Sequence, residues 1–209
     1  MTLVKVCGIR RGEDVEFLNK LLPDYAGFVF CKSKRQVTLK LAEELVKKLD
    51  KRIKRVGIFQ NNSLEEVKNT AEMLKLDVIQ LHGREDENYI KNLHPFKIWK
   101  SVSIDVKSSL EDLKDKIDKI SNCNVEAVLV DSSVGGKTGG TGTSFNWNVL
   151  ENLNINKKLV LAGGLNPDNI NTALECVKPY VVDVSSGVEE NGVKSFKKID
   201  QFIKKVRNF

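Results

Sequence analysis

The residues of this 209-residue chain best placed to do chemistry stand at the ends of short apolar runs. Side chains alternate across a β-strand, so in Leu3-Val4-Lys5-Val6-Cys7 the residues Leu3, Lys5 and Cys7 share one face. The same count groups Ala127 with Leu129 and Asp131, and Val181 with Asp183 and Ser185. Another run ends in Gln80-Leu81-His82. Polar groups that finish otherwise apolar strands suit a site better than a core. Cys7 and Asp131 could form an acid–base pair, because a thiol of pKa about 8.5 can act as a base once its thiolate is stabilised. Lys5, on the same face as Cys7, could help to stabilise it. From position alone Cys7 serves equally as a buried structural thiol. Asp131 could instead cap a helix or pair in a loop, although a carboxyl closing a barrel strand favours function.

Two glycine turns, Ala162-Gly163-Gly164-Leu165-Asn166-Pro167 and Ser185-Ser186-Gly187-Val188, read as a phosphate cradle. Backbone N–H groups and short helix N-termini after the last strands of a barrel bind phosphate in this way. Either turn alone also reads as ordinary tight turning, with Asn166 as N-cap and Pro167 at the first helical position. The run Gly135-Gly136-Lys137-Thr138-Gly139-Gly140-Thr141-Gly142 is not a Walker loop. Five residues before Gly136 stands Asp131 in place of the required glycine, and more glycine follows Thr138 where a helix should begin. Within Ser132–Ser144 it reads as a mobile active-site loop that folds over a ligand or lets one pass close to the backbone. Arg35, in Lys32-Ser33-Lys34-Arg35, could grip a carboxylate through its planar fork or belong to a solvated basic loop. His82 reads as a site residue or a hydrogen-bonded strand end, and His94, before Pro95, as surface.

The elements that must position these groups alternate. Strands are expected at Leu3–Cys7, Tyr25–Phe30, Lys54–Phe59, Asp77–Leu81, Lys97–Val102, Ala127–Asp131, Lys158–Ala162 and Val181–Ser185. Amphipathic helices are expected at Asp14–Leu22, Leu39–Leu49, Leu64–Leu74, Glu87–Leu93, Leu110–Ile120, Trp147–Leu153, Asn169–Val177 and Phe196–Val206. This alternation implies an α/β fold with a parallel sheet, and eight units imply a small closed (β/α)₈ TIM barrel spanning 1–209 as a single domain. The alternative is an open doubly wound sheet. Most of the 14 glycines follow a strand, while Pro23, Pro95 and Pro179 lie between a helix and the next strand. The strand C-terminal ends therefore carry the permissive loops, which in a barrel is the active-site face.

Composition narrows the function classes. Lys plus Arg is 34 against 28 Asp plus Glu, a net charge of +6, but the lysines are scattered over helix faces. Scattered solvated lysines argue against a nucleic-acid partner, and anionic small substrates would also suit this charge. The four cysteines form no CxxC pair and there are two histidines, so no metal site is expected. No apolar stretch approaches the ~20 residues of a membrane helix. Met1 runs almost directly into a strand pattern, so no leader is expected and the expected location is the cytoplasm.

Taken in order, the motifs resemble the phosphoribosylanthranilate isomerase family of tryptophan biosynthesis. They are Lys5-Val6-Cys7-Gly8-Ile9, Gly27-Phe28-Val29-Phe30, Ser33-Lys34-Arg35, Val56-Gly57-Ile58-Phe59 and Gln80-Leu81-His82-Gly83. Val130-Asp131-Ser132, Gly139-Gly140-Thr141-Gly142, Ala162-Gly163-Gly164-Leu165 and Val182-Asp183-Val184-Ser185-Ser186-Gly187-Val188-Glu189 follow. The resemblance spans essentially the whole chain. It implies a (β/α)₈ barrel performing an Amadori rearrangement of N-(5-phosphoribosyl)anthranilate, with no cofactor or metal. It further implies Cys7 as general base, Asp131 as general acid and Arg35 near the anthranilate carboxylate. Gly163, Gly164, Ser185, Ser186 and Gly187 would hold phosphate, and Asp183 and His82 would line the pocket. Barrels of this family are often monomeric, so a monomer is expected before a homodimer. One departure is Phe145-Asn146-Trp147 where the family reads Phe-Asp-Trp; Asn caps a helix as well as Asp does. The main rival is the histidine-pathway aminoaldose isomerase, which carries a pair of aspartates at the matching positions, so Cys7 argues against it. A non-catalytic phosphate-ligand binding barrel would need the turns but not Cys7 and Asp131 together.

Overall fold

The computed structural model describes residues 1–105, 110–134, 137–138, 147, 150 and 155–209. Strands and helices alternate along the chain as β1 (Leu3–Cys7), α1 (Gly12–Leu21), β2 (Tyr25–Val29), α2 (Leu39–Lys48), β3 (Lys54–Phe59) and α3 (Leu64–Leu74). There follow β4 (Val78–Leu81), α4 (Glu87–Lys91), β5 (Ile98–Asp105), α5 (Leu110–Ser121), β6 (Ala127–Val134), the two-residue β7 (Lys137–Thr138) and β8 (Lys158–Ala162). The helix Ile170–Val177, β9 (Val181–Val184), the 3₁₀ helix Ser186–Val188, the hairpin β10 (Glu189–Glu190) and β11 (Val193–Lys194), and the C-terminal helix Phe196–Arg207 complete the described elements. Except for β7, which folds back antiparallel on the end of β6, the main sheet is parallel and runs β5-β4-β3-β2-β1-β9-β8-β6. β6 pairs back to β5, so the sheet closes into the expected barrel and not the open alternative.

Local sequence explains most boundaries. Thr38, Ser63 and Asp86 each accept a hydrogen bond from a backbone N–H of the first turn of α2, α3 and α4. In α3 the residues Val67, Thr70, Ala71 and Leu74 are buried, and in the C-terminal helix Ile199, Phe202, Ile203 and Val206. Both sets follow i, i+3, i+4, i+7 spacing, which puts one stripe against the barrel. Burying each large aliphatic or aromatic side chain contributes about 1.5–3 kcal/mol. Replacing Phe202 with Asp would break the C-terminal stripe at its centre.

Some boundaries differ from expectation. α1 begins at Gly12, ahead of Asp14, because the Asp14 carboxylate reaches back to accept from the backbone N–H of Arg10 and Arg11 at 3.1 Å each. β5 and β6 run past Val102 and Asp131 because they go on pairing with each other as far as Asp105 and Ser133. Asn166 caps a turn, accepting from Asp168 and Asn169, and the helix proper starts at Ile170 with Asn169 as N-cap. Of the expected helix Trp147–Leu153 only Trp147 and Leu150 are described, both buried. Most of the Ser132–Ser144 loop and the Phe145-Asn146 pair lie outside the described residues.

The strand alternation divides the core. Val4 and Val6 point outward and join the layer between sheet and helices. Leu3, Cys7, Tyr25, Val56, Ile58, Trp99, Ala127, Leu129 and Val181 point into the barrel. Tyr25 and Trp99, at the N-terminal ends of their strands, pack edge to face with centroids 5.0 Å apart and fill the floor. The interior is thus packed below and polar above.

Candidate active site

A cavity of about 190 Å³ opens at the C-terminal ends of the barrel strands. Cys7, Arg35, His82, Asp131, Gly163, Gly164, Asp183, Ser185 and Ser186 all line it. Gly187 does not; it sits behind the cavity wall, where a Cβ would collide with the Leu165 carbonyl oxygen and the Asn166 side chain. Its part is to let the turns after β8 and β9 interlock. Gly163 and Gly164 take left-handed backbone, with φ of 90° and 66°, so the turn after β8 meets the cavity without side chains.

Charge is concentrated beneath the cavity. Lys5 is fully buried and its Nζ donates to Asp183 Oδ2 at 2.6 Å. Burial alone would pull the lysine pKa down, but the Asp183 carboxylate and the Cys7 sulfur outweigh that and leave it raised. Asp131 closes the same wall. Burial, reinforced by the negative charge of Asp183 and only partly countered by Lys5, pushes the Asp131 carboxyl up to about 7. Asp131 Oδ1 and Asp183 Oδ1 are buried and accept no hydrogen bond among the described residues. Leaving such groups unpaired costs about 1–3 kcal/mol each, which a hydroxylated ligand would relieve.

The expectation that Lys5 eases ionisation of Cys7 holds in direction but not in outcome. Burial, with the repulsion of Asp183, outweighs the Lys5 and Lys194 ammonium groups, so the thiol pKa is raised. At neutral pH the cavity lining therefore includes a thiol and a carboxyl near its midpoint. His82 is the reverse case of a base made weak. Burial, then the charges of Lys5 and Lys100, lower it to about 3, so the imidazole is neutral and Gln80 Nε2 approaches its Nε2 at 2.5 Å.

Arg35 is in the cavity wall, but its fork is not wholly free. Nε and Nη2 donate to the two Glu189 carboxylate oxygens, each at 2.7 Å. Lys194 was not among the expected site residues, yet its Nζ donates to Glu189 Oε1 at 2.8 Å and to the Ser185 carbonyl at 2.9 Å. Ser185 Oγ in turn donates to the Cys7 carbonyl at 3.0 Å. Gln80 also lines the cavity, and its signal was present in the sequence, since it shares strand parity with Val78 and His82. Glu189 and Lys194 carried no periodic signal, because a short hairpin places them.

The architecture supplies an acid near its midpoint, a thiol, a guanidinium and two small-residue turns around one cavity. Among the described residues no group of three or more His, Cys, Asp or Glu is placed to hold a metal ion. The family model for N-(5'phosphoribosyl)anthranilate (PRA) isomerase matches residues 4–205. An N-(5'-phosphoribosyl)anthranilate isomerase from Clostridium acetobutylicum is 50% identical over 211 residues, covering 100% of both chains. The phosphoribosyl anthranilate isomerase structure from Thermotoga maritima superposes with a TM-score of 0.88 at 33% identity, covering 100% of both chains. A further structure of the same enzyme, in complex with reduced 1-(o-carboxyphenylamino)-1-deoxyribulose 5-phosphate, gives 0.83 at 31% identity with 100% of both chains covered. A whole-length match of both sequence and fold makes the chain a member of the phosphoribosylanthranilate isomerase family.

Proposed function

We propose that the chain catalyses the isomerisation of N-(5'-phosphoribosyl)anthranilate to 1-(2-carboxyphenylamino)-1-deoxyribulose 5-phosphate in tryptophan biosynthesis, by general acid–base catalysis. Asp131, in its protonated form, gives its proton to the furanose ring oxygen as the C1–O bond breaks. The lone pair of the substrate's own amine pushes in to form a Schiff base. The Cys7 thiolate then removes the proton from sugar C2, giving an enolamine that tautomerises to the ketose. No atom is gained or lost, and no added electron carrier enters the steps.

The observation that carries this reading is the Asp131 carboxyl, raised to about 7 on the cavity wall that Cys7 also lines. A carboxylic acid still partly protonated at neutral pH can serve as a proton donor. The turns Gly163-Gly164 and Ser185-Ser186, lying together on one side, fit the phosphate. Arg35 fits the aryl carboxylate. His82, neutral, and Asp183, with an uncommitted oxygen, line the space left for the ribose. All these groups come from one chain, so each site can work without a partner subunit, which suits a monomer, and a tryptophan-biosynthetic role suits the cytoplasm.

The test is turnover of freshly prepared N-(5'-phosphoribosyl)anthranilate, followed by loss of its fluorescence with no metal or cofactor added. Rapid loss is expected. No loss, from folded protein that still binds phosphorylated ligands, would overturn the substrate assignment and turn the assay to the histidine-pathway aminoaldose.

A further inference from the structure

The cation expected to meet the aryl carboxylate is itself built into a small apparatus. The Arg35 stem crosses Gly8, whose φ of 82° and missing Cβ leave room for it. Glu189 then takes one edge of the fork through Nε and Nη2, while Nη1 has no partner among the described residues. Glu189 and Lys194 face each other across the β10–β11 hairpin. The Lys194 side chain is 1% exposed, so its ammonium is a buried charge held by Glu189 and by the Ser185 carbonyl. An Arg–Glu pair alone is neutral and exerts little pull on an anion. Two cations about one carboxylate give the unit a net charge of +1, and Arg35 is the member that lines the cavity.

We propose that Glu189 and Lys194 are positioning residues for the isomerisation. Glu189 fixes one edge of the Arg35 fork so that the other edge meets the substrate's aryl carboxylate. Lys194 keeps the unit positive and ties it to the Ser185 turn, so the carboxylate and phosphate ends of the site stay in one register. This rests on the reading of the site given above. Burial pulls the Lys194 pKa down, but the contact with Glu189 works against that. Glu189, despite burial, is held at about 2 by Arg35 and Lys194, so its carboxylate stays ionised throughout the physiological range.

The experiment compares binding of two product analogues, reduced 1-(2-carboxyphenylamino)-1-deoxyribulose 5-phosphate and its counterpart lacking the carboxylate, with steady-state kinetics alongside. Glu189→Gln is expected to weaken the carboxylated analogue about tenfold, as loss of a charge-assisted bidentate contact does, and to leave the other within about twofold. It should raise KM while kcat stays within about threefold, the pattern of lost uniform binding. In an Arg35→Met background Glu189→Gln should add nothing, because it acts through Arg35. Lys194→Met should weaken both analogues, the carboxylated one more. Glu190→Gln, whose exposed carboxylate lies away from Arg35, should change neither. Equal loss of both analogues with Glu189→Gln, additivity with Arg35→Met, or no loss at all would overturn the proposal. If Glu189→Gln does not fold, Glu189→Asp, one methylene shorter, must show the same pattern. Wild-type protein that neither turns over the substrate nor binds either analogue would sink the function itself, a result distinct from any of these.

Discussion

Asp131 should weaken the fold in the ionised state that its burial opposes, and that effect can be measured. An ordinary aspartate carboxyl titrates at 3.8, and this one stands at about 7 in the folded protein. A carboxyl raised on folding contributes stability that is fully present below its unfolded pKa and is lost as pH rises through its folded pKa. Between pH 4 and pH 7 this one group should therefore remove about 1.4 kcal/mol of stability per pH unit. Taking both titrations into account, the loss is about 2 kcal/mol at pH 5 and about 4 kcal/mol at pH 8. Asp131→Asn keeps the shape and removes the titration. Its stability relative to wild type should therefore rise by about 2–3 kcal/mol from pH 5 to pH 8. Urea unfolding followed by circular dichroism at several pH values reads this, and the comparison of two chains cancels the titrating groups that do not interact with Asp131. The same variant should lose turnover by about a thousandfold, since a general acid contributes about 10²–10⁴. Stability curves for the two chains that stay parallel within about 0.5 kcal/mol between pH 5 and pH 8 would refute the reasoning. So would a variant less stable than wild type at pH 8.

Three further outcomes are expected. Cys7→Ala should reduce kcat by about 10²–10⁴ with an unchanged circular dichroism spectrum, and near-normal kcat would remove Cys7 from the chemistry. The acid works protonated near its midpoint and the base works ionised from a raised thiol pKa, so the competent form is a minor one. The profile of kcat/KM against pH should rise through about 7, where Asp131 titrates, and fall only at alkaline pH as the thiol ionises; a fall beginning below pH 7 would reverse these assignments. Gly187→Ala should force the turn away from the Leu165 carbonyl, weakening inorganic phosphate inhibition and costing about 1–3 kcal/mol of stability, whereas wild-type phosphate affinity would show that the turn does not depend on that close approach.

Much of this arrangement was legible before any coordinate. Strand parity put Lys5, Cys7, Asp131 and Asp183 on inward faces, and the barrel interior holds them there. The glycine turns after β8 and β9 were legible because glycine is punctuation that survives without context. The limits of β5 and β6 were not, because their extension depends on each strand having the other as a partner. Nor was the commitment of Arg35 to Glu189, since 154 positions separate the two residues.

The sequence by itself determined the alternation of strands and helices, the face on which the glycines gather, and the residue types available for acid–base work. Those properties are local, carried by periodicities of two and 3.6 residues and by turn chemistry. Only the tertiary structure decided the protonation states. Asp131 is raised because closing the barrel buries it and sets Asp183 near it, and the Cys7 thiol is raised because the same closure outweighs two lysines. Desolvation and charge proximity depend on distance in space, which neighbouring positions along the chain do not encode.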